Sequence, residues 1–460
     1  APMSVSESRL ARLRREARAT FVLSLPLVIG QLAQVAMNLV DTVMAGHHGR
    51  LTQAEVAVGT QVWSLAIVLA LGVLMAIPPF VSQLNGANRR GEIGALFRQT
   101  LWLSLALGIG LLWLTRQADA LLALVGIAEE VRPGATAYLR AISWGAPALV
   151  LFFALRYLCD GVAWTVPTMV CSFLGLVALV PANYVFLYGG LGIPALGTEG
   201  LAWATVLVLW GQALGFLGYL LRSPRFRDLR LFAQFEWPSW ATLGALLWVG
   251  VPMGVTVFME GSLFVVTGLL IGTLGATEVA AHQIALVLAS TTFMVPLGVA
   301  MATTVRVGHA VGAGDAPAVR WAAGAGYLIA LFTQTVSALA MVVGGGWIAW
   351  LFTRDPGVAA MAASLLLYAA AFQYVDGVQV LSNGALRGLK DTRVPMLITA
   401  FSYWLLGMPV GWLLGLRLGW GPQGLWVGLI FGLSAAAVLL TWRFLRLGRD
   451  PLGYVRRAGL

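Results

Sequence analysis

Charge is scarce in this sequence. Of 460 residues, 10% are Asp, Glu, Lys or Arg, against about 25% in soluble domains. So few ionic groups cannot clothe a water-facing globule of this size. With 59% hydrophobic residues and a mean hydropathy of +0.84, disorder is excluded as well. Lysine is nearly missing: of the 29 basic residues, all but Lys390 are Arg. Cysteine is as sparse, and Cys159 and Cys171 lie in or beside apolar runs, which excludes a disulfide framework. The net charge of +10 does not point to nucleic acid, because the Arg residues are scattered through short loops rather than gathered in one patch. Gly312-Ala313-Gly314-Asp315 is glycine-rich but lacks the Gly-Lys-Ser/Thr of a nucleotide loop. That leaves an integral membrane protein. Ala1-Pro2-Met3 reads as leftover residues ahead of a natural start at Met3.

Apolar runs are what the sequence has in plenty. A spanning helix needs roughly 20 apolar residues. Runs of that order lie near 21–46, 56–80, 99–115, 136–160, 165–190 and 199–221, and again near 241–271, 278–305, 321–345, 359–386, 394–417 and 422–445. They are long and evenly apolar, not short alternating segments, so they read as helices rather than barrel strands. The first run is too long for a signal peptide and is read as a retained span. With the amino terminus inside, 23 basic residues fall on inner segments and 6 on outer ones. This count places both termini in the cytoplasm and implies a multi-pass protein of a bacterial inner membrane.

The chain repeats itself. Glu55-Val56-Ala57 matches Glu278-Val279-Ala280, and Asn85-Gly86-Ala87-Asn88 matches Val311-Gly312-Ala313-Gly314. Pro167 and Pro181 match Pro395 and Pro409 at an offset of 228, and Pro26 matches Pro252 at 226. Six spans per half give parallel repeats about an axis along the membrane normal. The expected architecture is all-α: two six-helix lobes related by pseudo-twofold symmetry, V-shaped around a central cleft. The lobes are read as 1–221 and 241–460, joined by a basic cytoplasmic linker at 222–240.

Ionisable residues inside spans are costly, at about 2.5–3.5 kcal/mol each on the insertion scale, and are functional candidates by default. Asp41, Glu260 and Asp376 stand out, none with an Arg or Lys within a helical turn on its own helix. Gln31, Gln34, Asn38 and Asp41 fall on one face of the first helix, and Gln373, Asp376, Gln379 and Asn383 share a sector of the tenth. Thr256 precedes Glu260 by one turn, and His282-Gln283 opens the eighth helix. Such amides also serve as interhelical glue, at about 0.6 kcal/mol per contact. An Asp ending a stripe of three amides points instead to a wet, cation-handling cavity. Glu260 and Asp376 form a second acidic site if the seventh and tenth helices face each other. A buried carboxylate can take up and release a proton, or serve as a hard oxygen ligand for a small cation. His47-His48 has no further ligand cluster beside it, so no metal site is expected there.

Leu39-Val40-Asp41-Thr42-Val43-Met44-Ala45-Gly46 resembles the first-helix motif of the multidrug and toxic compound extrusion (MATE) family. Gly384-Ala385-Leu386-Arg387-Gly388, Asp391-Thr392-Arg393-Val394-Pro395-Met396 and Ala281-His282-Gln283-Ile284-Ala285 resemble its later motifs, in order along the whole chain. Acids at 260 and 376 resemble the NorM-like branch. The resemblance implies cation-coupled antiport, with H+ or Na+ entering while an amphipathic, mostly cationic drug leaves. It also implies that Asp41, with Asn183 and Thr205, makes the first-lobe cation site, and that Glu260 and Asp376 make the second-lobe cation or drug site. Gln34, Asn38, Thr256, Gln283 and Gln379 are the expected polar support, and a monovalent cation is expected at Asp41 or at Glu260/Asp376. No cofactor beyond the coupling ion is expected, and the partners are drug-like molecules and the bilayer around a monomer. Leu179 and Phe372 depart from the pattern, where a polar residue and Tyr are expected; the lost oxygens lean the expectation towards protons. The rivals are a lipid-linked precursor flippase, which calls for basic residues in the cleft, and an intramembrane acid/base enzyme, for which no nucleophile or metal site is evident.

Overall fold

A computed structural model of the chain describes residues 9–458 apart from 126 and 191, with the backbone alone at 121 and 125; the expected start at Met3 lies outside the described residues. Eleven described helices are long and apolar enough to cross a bilayer, and a twelfth span consists of Arg132–Ser143 and Ala146–Gly161, which meet at 49°. In chain order they are α1 (Arg9–His48), α2 (Arg50–Gly86), α3 (Arg90–Arg116), α4 (the bent pair), α5 (Val166–Tyr188), α6 (Thr198–Arg222), α7 (Trp240–Gly272), α8 (Ala276–Gly312), α9 (Ala316–Phe352), α10 (Pro356–Gly388), α11 (Arg393–Arg417) and α12 (Pro422–Leu447). Each covers one of the twelve apolar runs. Large side chains such as Ile109, Val265, Val343 and Leu405 stand exposed along them, a surface that belongs in hydrocarbon rather than water.

Two compact units divide the chain: Ile29–Gly254, and Ala1–Val28 with Val255–Leu460. Both divisions run through helices, α1 and α7, each two residues past an interior proline, Pro26 or Pro252. Proline gives no N–H to the preceding turn and its ring crowds the carbonyl four residues back, so the helix is weakest there. Within its unit, the start of α1 is fastened to α8 and α9: Arg306 pairs with Glu16, and the Arg12 guanidinium lies 5.5 Å from the Trp321 ring centroid.

The 222–240 segment is no loose tether. After a 3₁₀ turn at Pro224–Leu229, it lies along α3. Arg98 donates to the Arg230 carbonyl at 2.7 Å and to Glu236 at 2.6 Å, Trp102 Nε1 donates to the Glu236 carbonyl at 2.9 Å, and Arg90 pairs with Asp228 at 2.6 Å. The Arg90 and Arg98 guanidiniums hold the Asp228 and Glu236 carboxyls below the usual range.

The repeat is visible in the backbone. Left-handed residues end the turn after α2 at Asn88 (φ 57°) and after α8 at Gly314 (φ 71°), and again after α4 at Ala163 (φ 60°) and after α10 at Lys390 (φ 58°). Non-glycine residues there carry a cost of about 1–2 kcal/mol, so the shared turn geometry outweighs local preference.

α11 departs from ideal helix. Pro409 cannot donate to the preceding turn, and π-helical stretches Phe401–Gly407 and Leu413–Arg417 flank Met408–Trp412. Its glycines, Gly407, Gly411 and Gly415, meet Gly424, Gly428 and Gly432 of α12. A methyl group added at Gly407 would sit 2.9 Å from the Gly432 Cα. This small-residue seam lets the two backbones touch.

Candidate functional site

In the 29–254 unit, Asp41 is buried on α1. Asn183 of α5 donates its amide N–H to Asp41 Oδ1 at 2.6 Å, and Thr205 of α6 donates to Oδ2 at 3.4 Å while also bonding the Leu201 carbonyl. The Asn183 Oδ1 atom is buried without a partner. A carboxylate and a free amide oxygen therefore belong to one hydrogen-bonded pair of side chains, two acceptors suited to a proton or a small cation. Leu179, one turn before Asn183, is fully buried and packs with Met37 and Val208, closing that side with hydrocarbon. Of the amide stripe, Gln34 is half-buried and Asn38 exposed, and Gln31 turns to another partner.

That partner is Arg156, one of the 23 basic residues counted on inner segments. It lies inside α4, fully buried. Arg156 donates to Gln31 Oε1 at 2.8 Å and pairs with buried Asp160 at 3.6 Å, whose other oxygen accepts from Thr168 at 2.9 Å. The salt bridge lies within α4, and its hydrogen bonds to Gln31 and Thr168 tie that helix to α1 and α5. Arg156 and Asp160 escape sequence reasoning because a charge at the end of an apolar run looks like a loop residue. Their i, i+4 spacing was the available signal.

The other unit holds Glu260 and Asp376. Phe264 of α7 and Phe372 of α10 meet edge to face, with centroids 5.9 Å apart. Phe264 follows Glu260 by one turn and Phe372 precedes Asp376 by one turn. In two antiparallel helices this contact brings the two carboxyls to the same level, and each acts electrostatically on the other. Asp376 is buried, and its Oδ1 has no hydrogen-bond partner. Arg387 acts on Glu260 through its charge. Among the described residues, neither Asp41, Glu260 nor Asp376 forms a salt bridge.

Around this pair, Thr256 is buried one turn before Glu260, and Gln379 is buried with both amide atoms unpartnered. Gln283 is exposed. Gln373 faces α9 instead, accepting from Ser337 at 2.6 Å. Tyr403, fully buried in the π-helical stretch of α11, carries an unpartnered hydroxyl and feels both acids. Its place at the site depends on the π-turn, which no hydrophobic period announces. Trp426 Nε1 donates to His282 Nδ1 at 3.2 Å, so this histidine keeps its proton on Nε2. Phe372, Phe264, Trp426 and His282 form one aromatic cluster.

His47 bonds the Val43 carbonyl and His48 bonds Thr52, each at 2.8 Å. Among the described residues no group of three or more His, Cys, Asp or Glu is placed to hold a metal ion.

One family model, MatE, matches this chain twice, at residues 26–185 and 252–413. The chain belongs to the MATE family. The two MATE matches begin at Pro26 and Pro252, the offset at which the sequence repeats. A probable multidrug resistance protein NorM of Xanthomonas campestris pv. campestris is 52% identical over 444 residues, covering 96% of this chain and 97% of that protein. The multidrug resistance protein PmpM of Pseudomonas aeruginosa is 42% identical over 458 residues, covering 98% and 95%. Among solved structures, a multidrug resistance MATE transporter of the MOP superfamily in an outward-facing conformation superposes with TM-score 0.87 at 22% identity, over 98% of this chain and all (100%) of that one. At that identity the likeness concerns the fold alone. The chain is thus a MATE membrane transporter of the NorM-like branch, and not an enzyme.

Proposed function

We propose that this MATE transporter is a cation-coupled multidrug efflux antiporter of a bacterial inner membrane. It works as a monomer with both termini in the cytoplasm and exports amphipathic, mostly cationic compounds by alternating access. The observation that carries the reading is that three intramembrane carboxyl groups, at Asp41, Glu260 and Asp376, have no salt-bridge partner among the described residues. Unpaired acids inside spans mark ion and substrate pathways. An ionised acid attracts a cationic drug. Binding a proton or Na+ cancels that attraction, so the drug leaves on the side where the ion enters. Buried Leu179 and Phe372 occupy places where further oxygen ligands would strengthen a Na+ site, which favours the proton.

The test is export of ethidium by the purified protein in proteoliposomes under a proton gradient alone and a Na+ gradient alone. The proton gradient is expected to drive transport and the Na+ gradient to add little. Transport driven by Na+ alone would keep the antiporter and reject the proton preference. Transport indifferent to both gradients would reject antiport.

A further inference from the structure

The foot of α6, where it leaves the membrane for the 222–240 segment, carries a recess that the transport reading does not use. It has a volume of about 740 Å³ and is lined by Leu214, Gly215, Gly218, Tyr219, Arg222 and Pro224, among others. Gly211, Gly215 and Gly218 run up one side of α6, and the space where a Cβ would sit on each is open. The bare backbone leaves a trough, walled by the exposed side chains of Leu214 and Leu221.

The mouth of the trough is polar, aromatic and cationic. Trp164 donates its indole N–H to the Tyr219 hydroxyl at 3.0 Å, and the Arg225 guanidinium stacks 4.0 Å from the Trp164 ring centroid. Arg222 and Arg225 are exposed, and neither forms a salt bridge among the described residues. The nearby acid, Asp228, is already held by Arg90 at 2.6 Å. The mouth therefore keeps uncompensated positive charge beside two aromatic rings of the type that settle at the membrane–water interface.

We propose that this recess binds a phospholipid with a net negative headgroup. One acyl chain lies along the glycine trough, and the phosphate reaches Arg222 and Arg225 beside the Trp164–Tyr219 pair. A neutral detergent gains nothing from the two guanidiniums, and a zwitterionic lipid, whose ammonium offsets its phosphate, fills the trough equally well but gains less from them. The proposal rests on the chain's spanning the membrane and not on the identity of the coupling ion.

Native mass spectrometry of the detergent-solubilised protein tests it, with phosphatidylglycerol and phosphatidylcholine of identical acyl chains as probes. At roughly 1 kcal/mol per interfacial Arg, two arginines give phosphatidylglycerol a preference of about thirtyfold. The Arg222→Gln/Arg225→Gln double variant is expected to bind both lipids alike. Gly215→Leu, which fills the trough but spares the charges, is expected to weaken both lipids by a similar factor, with unchanged circular dichroism showing an intact fold. Equal binding of the two lipids by the unaltered protein, or a preference that survives the double arginine variant, would overturn the proposal. Full lipid binding by Gly215→Leu would overturn the placement of the acyl chain.

Discussion

Replacing Asp41 by Asn, or Asp376 by Asn, is expected to lower gradient-driven ethidium efflux by about tenfold to a hundredfold. The substitution keeps volume and shape. At position 41 the new carbonyl can still accept from Asn183 Nδ2, which bonds Asp41 Oδ1 at 2.6 Å, so the fold should persist. What is lost is the alternation between a charged and an uncharged state. A contact to a charged group is worth about 1.5–3 kcal/mol, which sets the expected range. Asp376→Asn acts on a pair, because Glu260 and Asp376 influence each other's charge. Glu260→Gln and Asp376→Asn are therefore expected to be non-additive, as coupled neighbours are, whereas Asp41→Asn should combine additively with either. Vesicles with a fixed proton gradient report all three comparisons. Normal coupled efflux from both single variants would remove these acids from the transport cycle.

The second large effect is on stability. Arg156 and Asp160 are both buried, paired at 3.6 Å and tied to Gln31 and Thr168. Asp160→Ala leaves a guanidinium in the interior without its counter-ion, at a cost of about 3–5 kcal/mol, whereas replacing both partners by apolar groups is often nearly neutral. Asp160→Ala should therefore lower the unfolding temperature in detergent markedly, and Arg156→Met/Asp160→Leu should recover most of it. If the double variant is as unstable as the sum of the two single ones, the pair is not an interacting unit. This bridge also separates two kinds of intramembrane charge. Asp160 is paired with a guanidinium, whereas Asp41 is held by the neutral donors Asn183 and Thr205.

How far the sequence could be read follows from which interactions have a period. Twelve apolar runs show through because hydrophobicity over about twenty residues is a strong, local signal, and each corresponds to an observed span. The duplication shows through because turns repeat, as at Ala163 and Lys390, whose left-handed backbones lie 227 residues apart. Asp41 stands out as an acid in hydrocarbon, and the family resemblance adds Asn183 on α5 and Thr205 on α6. The contacts that carry no local signal stay hidden. Tyr403 lies in a π-helical turn and feels both acids, Gln373 shares its stripe with Asp376 yet faces Ser337, and Arg156 looks like a loop charge until its partner is known. The division of the compact units beyond Pro26 and Pro252 is equally silent, since a proline in a membrane helix marks a bend without naming what packs on either side.

The most direct test of the central claim is proton release on drug binding. The purified protein in weakly buffered, Na+-free detergent solution would be titrated with ethidium while pH is followed. Protons should appear in proportion to drug bound, with less released by Asp41→Asn, by Asp376→Asn and by Glu260→Gln. Full binding of ethidium with no proton released by the unaltered protein would contradict the account.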